Sequence, residues 1–348
     1  MLAGNDKALF HSGLTALFFC LMTLDRKQGL TAWARERLNL PNLTLQLISG
    51  DASFRRYYRA AGRIWVDAPP ATEKNREFVR NAAALAEAGI RAPQVDAVDY
   101  RAGWLCVSDL GDTLLLSQLN ETSVDEWYAK AIDLLPQLAS VHLPLEPFDR
   151  AFMARENTIF PEWLLECHLG LTLTAAETQL LADTFSRLAE CNLAQPQVVM
   201  HRDYHSRNLM VCDDGELAVI DFQDMVLGPL SYDLVSLLKD CYVRWPDSVV
   251  RQGVARAYQA YGAAGLLAGY SADEFRLAFD WCGMQRHLKA AGIFTRLHHR
   301  DGKSGYLADI PRTLGYVAEV AAASHELQDF ADWLQRRVLP AFATQEPC

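Results

Sequence analysis

The sequence predicts an α+β protein of two lobes, a small β-rich amino-terminal lobe followed by a larger, mainly helical carboxyl-terminal lobe. Three observations carry that expectation. Residues 42–108 fall into short strand-like runs broken by turn residues, with one helical stripe among them. Residues 114–194 and 232–345 carry apolar stripes at helical spacing. Between those stretches lies a short β-rich island, residues 198–221, bracketed by polar side chains. With 348 residues, half of them hydrophobic, the chain is long enough to bury a core in each lobe.

Taken in order, the chain opens on an extension and helix, residues 1–41. The apolar run from Leu14 to Leu24 is too short to span a bilayer, and Asp25-Arg26-Lys27 follows it rather than a small-residue cleavage site. Met22 begins an amphipathic pattern, so residues 1–21 are expected either to precede the natural start or to form a docked extra helix. Leu30, Trp33, Ala34 and Leu38 make a helical stripe that ends near Pro41. The small lobe, 42–108, then reads as strands over 43–48, 57–60 and 63–66, stopped by Pro69-Pro70. A helix from Glu77 to Ala88 ends at Gly89, and strands over 94–100 and 104–108 complete the lobe. A hinge, 109–113, leads into the helical lobe, 114–348.

Composition narrows the function. The net charge is −10, and no cluster of Lys and Arg offers a face to nucleic acid. No segment is long and apolar enough for a membrane span. The eight cysteines include no C-x-x-C pair, which suggests thiols in a reducing, cytoplasmic setting. His298 and His299 are adjacent, but no ligand-spaced partner makes them a zinc site. Composition does not reveal the oligomeric state.

The island carries the chemistry. Residues 198–224 read VVMHRDYHSRNLMVCDDGELAVIDFQD, in which Asp213-Asp214-Gly215 joins two apolar strands as a hairpin. A two-stranded ribbon brings its ends together, so Asn208 and Asp221 are expected side by side, with Asp203 on the loop before them. Phosphoryl transfer needs hard oxygen ligands for Mg2+ and a carboxylate to orient the attacking hydroxyl. Asn208 and Asp221 supply the first, and Asp203 supplies the second.

His201-Arg202-Asp203, Asn208 and Asp221-Phe222 follow the order and spacing of the protein-kinase signature. The next residues, Gln223-Asp224, then Gly228-Pro229 and Tyr232-Asp233-Leu234, depart from it. This variant resembles the aminoglycoside phosphotransferase and choline kinase branch of the kinase-like superfamily. The resemblance implies a bilobal, protein-kinase-like fold, ATP and Mg2+ as cofactors, and His201 and Asp233 as supports of the catalytic loop. It places ATP phosphates on the loop containing Ser53 and Arg55, and adenine on the connection at Val107, Asp109 and Leu110. The strand lysine of such kinases is missing: Val66 or Asp67 falls at its place, leaving either a nearby arginine or Mg2+ to compensate.

Further segments, WVDAPP at 65–70, GDASFRRYY at 50–58 and QRHLKAAGIF at 285–294, resemble bacterial anomeric kinases of amino sugars within that branch, from about Met22 onward. That resemblance implies phosphorylation of the C1 hydroxyl of N-acetylmuramate and/or N-acetylglucosamine during cell-wall sugar recycling. Candidates for sugar contact are His205, Gln285, Arg286 and Lys289, with Arg286, Lys289 or Arg300 for a lactyl carboxylate. Helical spacing puts Gln285 and Lys289 on one face and Arg286 elsewhere. Two alternatives stay open: a kinase of another small alcohol, such as an aminoglycoside or choline, and a catalytically silent nucleotide-binding protein.

Overall fold

The computed structural model describes residues 25–50 and 54–343, so the expectations for residues 1–21 and for Ser53 lie outside the described residues. These residues form two compact units: one runs to Ala83 and resumes over Ala92–Leu110, and the other comprises Ala84–Arg91 and the chain from Gly111 onward.

In the first unit, helix α1 (25–38) precedes strands β1 (Gln46–Gly50), β2 (Arg56–Ala60) and β3 (Arg63–Asp67), helix α2 (Asn75–Glu87), and strands β4 (Val95–Asp99) and β5 (Trp104–Ser108). The strands form one antiparallel sheet in the order β1-β2-β3-β5-β4. Ala61 and Gly62 both take positive φ, the tight two-residue turn that matches strand twist between β2 and β3. The stripe on α1 buries Leu30 and Ala34 against Tyr58, Trp65 and Cys106, and Trp33 meets Trp65 edge-on at 5.6 Å. Helix α1 also reaches the end of β3. Arg26 Nε donates to the buried Asp67 carboxylate at 2.9 Å, and Arg26 Nη2 donates to Ala102 O at 2.8 Å.

The second unit is mainly helical. Helices α3 (Val124–Ala139), α4 (Arg150–Asn157) and α5 (Ala175–Ala194) lead into the island. There β6 (Gln197–Met200) pairs with β9 (Val226–Pro229), and β7 (Leu209–Val211) pairs with β8 (Leu217–Val219). Helices α6 (Tyr232–Leu238), α7 (Asp247–Ala263), α8 (Ala272–Asp301), α9 (Ile310–Ala323), α10 (Gln328–Trp333) and α11 (Leu339–Ala343) follow. The longest of these, α8, is started by a capping box between Ser271 and Glu274 and stopped by Gly302 at φ +67°. It is buried along most of its length, against α5, α9 and a π-helical segment over Phe160–His168. Gly292 permits that last approach: a Cβ there would lie 2.4 Å from Ile159 O. Four polar residues, Gln285, Arg286, His287 and Lys289, sit in the buried middle of α8. Such groups are costly inside a core unless something pairs with them. No helix among the described residues is long and apolar enough to cross a membrane.

Candidate active site

Local geometry gathers the three island residues. The β7–β8 register pairs Leu209 with Val219 and Val211 with Leu217, and Gly215 closes the turn at φ +78°. At the open end of the ribbon, Ile220 N donates to Asn208 O at 3.0 Å, so the next side chains meet. Asn208 Nδ2 lies 3.4 Å from Asp221 Oδ2 and donates to Asp203 O at 3.0 Å. Gln223 Nε2 donates to Asp221 Oδ1 at 2.7 Å. With its Nδ2 engaged, Asn208 Oδ1 has no donor among the described residues.

The loop carrying Asp203 is held from below by carboxylates. Asp233, in the first turn of α6, accepts from His201 N at 2.6 Å and Arg202 N at 3.0 Å. Asp240 accepts from Ser206 N at 3.0 Å and Tyr242 N at 2.8 Å. Asp203 N donates to His201 Nδ1 at 3.3 Å, which leaves His201 Nε2 to donate to Ile220 O at 2.9 Å. Arg202 takes a positive φ of 77°, a conformation costly for a residue with a side chain, and its guanidinium is firmly anchored. Nη2 donates to Glu156 Oε1 at 2.5 Å, and the group lies over the Phe152 ring at 5.2 Å.

Electrostatics separates the two loop carboxyls. Burial alone would raise the Asp203 pKa, but Lys289, His205, Arg202 and Arg286 hold it down, at about 2. Asp203 is thus an ionised acceptor throughout the neutral range. Burial pushes the Asp233 carboxyl up to about 6, although the His201 ring and two backbone N–H groups oppose the shift. Above pH 6 the ionised Asp233 accepts both N–H bonds; below it, proton uptake turns one oxygen into a donor and loosens the loop. At saturating nucleotide, kcat/KM for the acceptor is therefore expected to fall on the acid side with a midpoint near 6. Asp233→Asn should lower the rate and remove that midpoint. An acid limb unchanged in the variant would rule Asp233 out as its source.

Of the sugar-contact candidates, His205 lies on this loop and Lys289 and Arg286 act electrostatically on Asp203. His205 is buried edge-on to Tyr242, with Nδ1 lacking a partner, and burial lowers its pKa. Gln285 Nε2 donates to Asn157 Oδ1 at 3.2 Å, and Lys289 Nζ donates to Tyr232 OH at 3.0 Å and Glu156 Oε1 at 3.4 Å. Arg286 meets a different partner, Cys241 Sγ at 3.5 Å, and its charge, like that of Lys289, acts on Asp203. Arg300 instead pairs with its neighbour Asp301 on an exposed helix end. Glu156, Asn157 and Asp240 were not singled out in the sequence, since no local motif marks them.

The nucleotide candidates of the first unit fare differently. Arg55 is only 3% exposed, pairs with Glu73 Oε2 at 3.0 Å and lies over the Phe78 ring. There its guanidinium braces the start of β2. Val107 is buried in β5 between β3 and β4. The Asp109 carboxylate is taken by Arg59 at 2.6 and 2.9 Å, and Leu110 follows it as the unit's last residue. At the place of the missing lysine, Asp67 Oδ2 lies 3.9 Å from Arg56 Nη1.

The oxygen set of Asn208 and Asp221 fits Mg2+, which binds through one or two protein ligands while keeping phosphate oxygens and water. Among the described residues no group of three or more His, Cys, Asp or Glu could cage a metal on its own.

The model of the phosphotransferase enzyme family matches residues 44–270. An N-acetylmuramate/N-acetylglucosamine kinase of Pseudomonas putida is 40% identical over 323 residues, covering 88% of this chain and 95% of that protein. Its namesake from Pseudomonas aeruginosa is 40% identical over 339 residues, covering 95% and 97%. Among solved structures, the ADP-bound aminoglycoside phosphotransferase APH(2'')-Ib superposes with a TM-score of 0.58 at 12% identity, covering 84% of this chain and 98% of that one. The likeness establishes a kinase-like fold of a small sheet-bearing lobe and a larger helical one.

Proposed function

The chain belongs to the phosphotransferase enzyme family, and from that premise we propose that it transfers the γ-phosphoryl group of ATP to the C1 hydroxyl of N-acetylmuramate and N-acetylglucosamine. The observation that carries this reading is an ionised Asp203 fixed beside the Asn208–Asp221 oxygen pair. The acceptor follows the names of the two Pseudomonas relatives, which match the chain over nearly its whole length.

The low pKa of Asp203 supports the choice of hydroxyl. A carboxylate near 2 is a weak base, suited to orienting a hydroxyl and taking its proton as the phosphoryl group departs. The hemiacetal hydroxyl at C1 is the most acidic on a reducing sugar, so it asks least of such a base. In the proposed step, O1 attacks the γ-phosphorus, the bond to the bridging oxygen of ADP breaks, and the proton passes to Asp203. Mg2+ held by Asn208 and Asp221 would neutralise charge on the phosphates. His201 and Asp233 keep the loop in register. Backbone groups of Val107, Asp109 and Leu110 would meet adenine. Such an enzyme would serve the cytoplasmic recycling of cell-wall sugars.

ADP release that depends on either sugar, followed by phosphorus NMR of the product, tests the proposal. A phosphate on C1 is expected. A phosphate on C6 would remove the anomeric assignment, and ATP binding without turnover would mark the chain as a silent nucleotide-binding protein.

A further inference from the structure

We infer that Arg286 is the anion-binding residue of the acceptor site and that it takes the carboxylate of an acid-bearing sugar, such as the lactyl group of N-acetylmuramate. The inference rests on the kinase reading above and deepens it. N-acetylglucosamine lacks that lactyl group and is otherwise the same sugar, so the two acceptors form a matched pair.

Arg286 is 4% exposed, and its one hydrogen bond runs from Nη1 to Cys241 Sγ at 3.5 Å, a weak acceptor. Among the described residues no carboxylate forms an ion pair with it. A guanidinium cannot shed its proton, so the site holds a permanent buried charge with most of its donors unspent. The carboxylates within electrostatic reach are Asp203 and Asp240. Asp240 is occupied by Ser206 and the Tyr242 backbone, and Asp203 faces the reacting hydroxyl. A planar fork of donors without a counterion is the arrangement that recognises a carboxylate.

The other cations are accounted for. Lys289 is held by Glu156 and Tyr232, and Arg300 pairs with Asp301. Three further buried atoms lack partners: Gln285 Oε1 on the preceding residue of α8, His205 Nδ1 within electrostatic reach of Arg286, and Glu156 Oε2 on the carboxylate that holds Lys289. Buried polar atoms of native proteins are nearly always satisfied. Three of them among the residues of the acceptor side, with one unbalanced cation, describe a site completed by a polar, anionic ligand. Glu156 and Gln285 present acceptors for sugar hydroxyls or the acetamido N–H.

The test compares kcat/KM for the two sugars in the unaltered protein and in Arg286→Gln and Arg286→Lys. In Arg286→Gln the ratio of N-acetylmuramate to N-acetylglucosamine turnover is expected to fall about 10^2-fold, the scale of losing one partner of a buried charge pair. Arg286→Lys should recover part of that ratio. In parallel, the unaltered protein is assayed with the primary lactyl amide of N-acetylmuramate, which should be used about 10^2-fold less well than the acid. This arm is independent of how the variants fold. Equal use of acid and amide, or a loss in Arg286→Gln that falls on both sugars alike, overturns the inference and leaves the kinase reading standing. Failure of the unaltered protein to turn over either sugar removes both.

Discussion

Asp203→Asn is expected to lower kcat by about 10^2–10^4-fold, the range for removing a positioned acid–base group. At 1.36 kcal/mol per tenfold, that is roughly 3–5 kcal/mol of transition-state stabilisation. The loop should survive the change, because its internal bonds run through the Asp203 backbone. The N–H donates to His201 Nδ1, and the carbonyl accepts from Asn208 Nδ2 and His205 N. An amide of the same shape keeps these bonds and loses only the negative charge. Since that charge matters as the proton moves, kcat and kcat/KM should fall together, with little change in KM. Lys289, His205, Arg202 and Arg286 lose a common counter-charge in the variant, so circular dichroism and urea unfolding must accompany the kinetics. A folded variant that transfers phosphate at the unaltered rate would end the assignment of Asp203 as the catalytic carboxylate.

What the sequence discloses about this site depends on how far apart the interacting residues lie along the chain. The meeting of Asn208 and Asp221 was legible because a D-G turn joins two short apolar strands and forces their ends together. The five strands of the first unit were legible for the same reason, as alternating runs between strong turn signals. Strand β9 was not: Val226-Leu-Gly-Pro carries strand-breaking residues, and its partner β6 lies about thirty positions upstream. The grip of Asp233 on the loop backbone was expected from family resemblance, whereas that of Asp240 was not. Nothing local distinguishes Asp240 from any acid beyond a helix end, yet it accepts from a serine 34 residues away. The surroundings of Arg55 were equally hidden. It was expected on a phosphate-binding loop, and nothing local in the sequence marks Glu73 and Phe78 as the residues that enclose it. Long-range pairing decided each of these cases, and periodicity carries no information about it.

Glu156 is the strongest instance, and it sets the second large effect. It belongs to α4, whose sequence Arg-Ala-Phe-Met-Ala-Arg-Glu-Asn contains no motif, yet it binds Arg202, 46 residues on, and Lys289, 133 residues on. All three side chains are largely withdrawn from water. Glu156→Ala therefore leaves two buried cations without their shared carboxylate. Breaking a buried pair from one side costs roughly 3–5 kcal/mol, because the remaining charge keeps its desolvation penalty. Here there are two such charges, and Arg202 also holds a backbone conformation that its anchor stabilises. The variant should show a lower urea midpoint, and its remaining activity should fall because Arg202 flanks Asp203. Lys289→Met should cost less, since Glu156 keeps the 2.5 Å contact with Arg202. A double-mutant cycle between Glu156→Gln and Lys289→Met isolates the pair itself. If Glu156→Ala unfolds at the unaltered urea concentration, the carboxylate does not hold the cluster together, and the anchoring of Arg202 must come from Phe152, Asp233 and the Asp224 carbonyl.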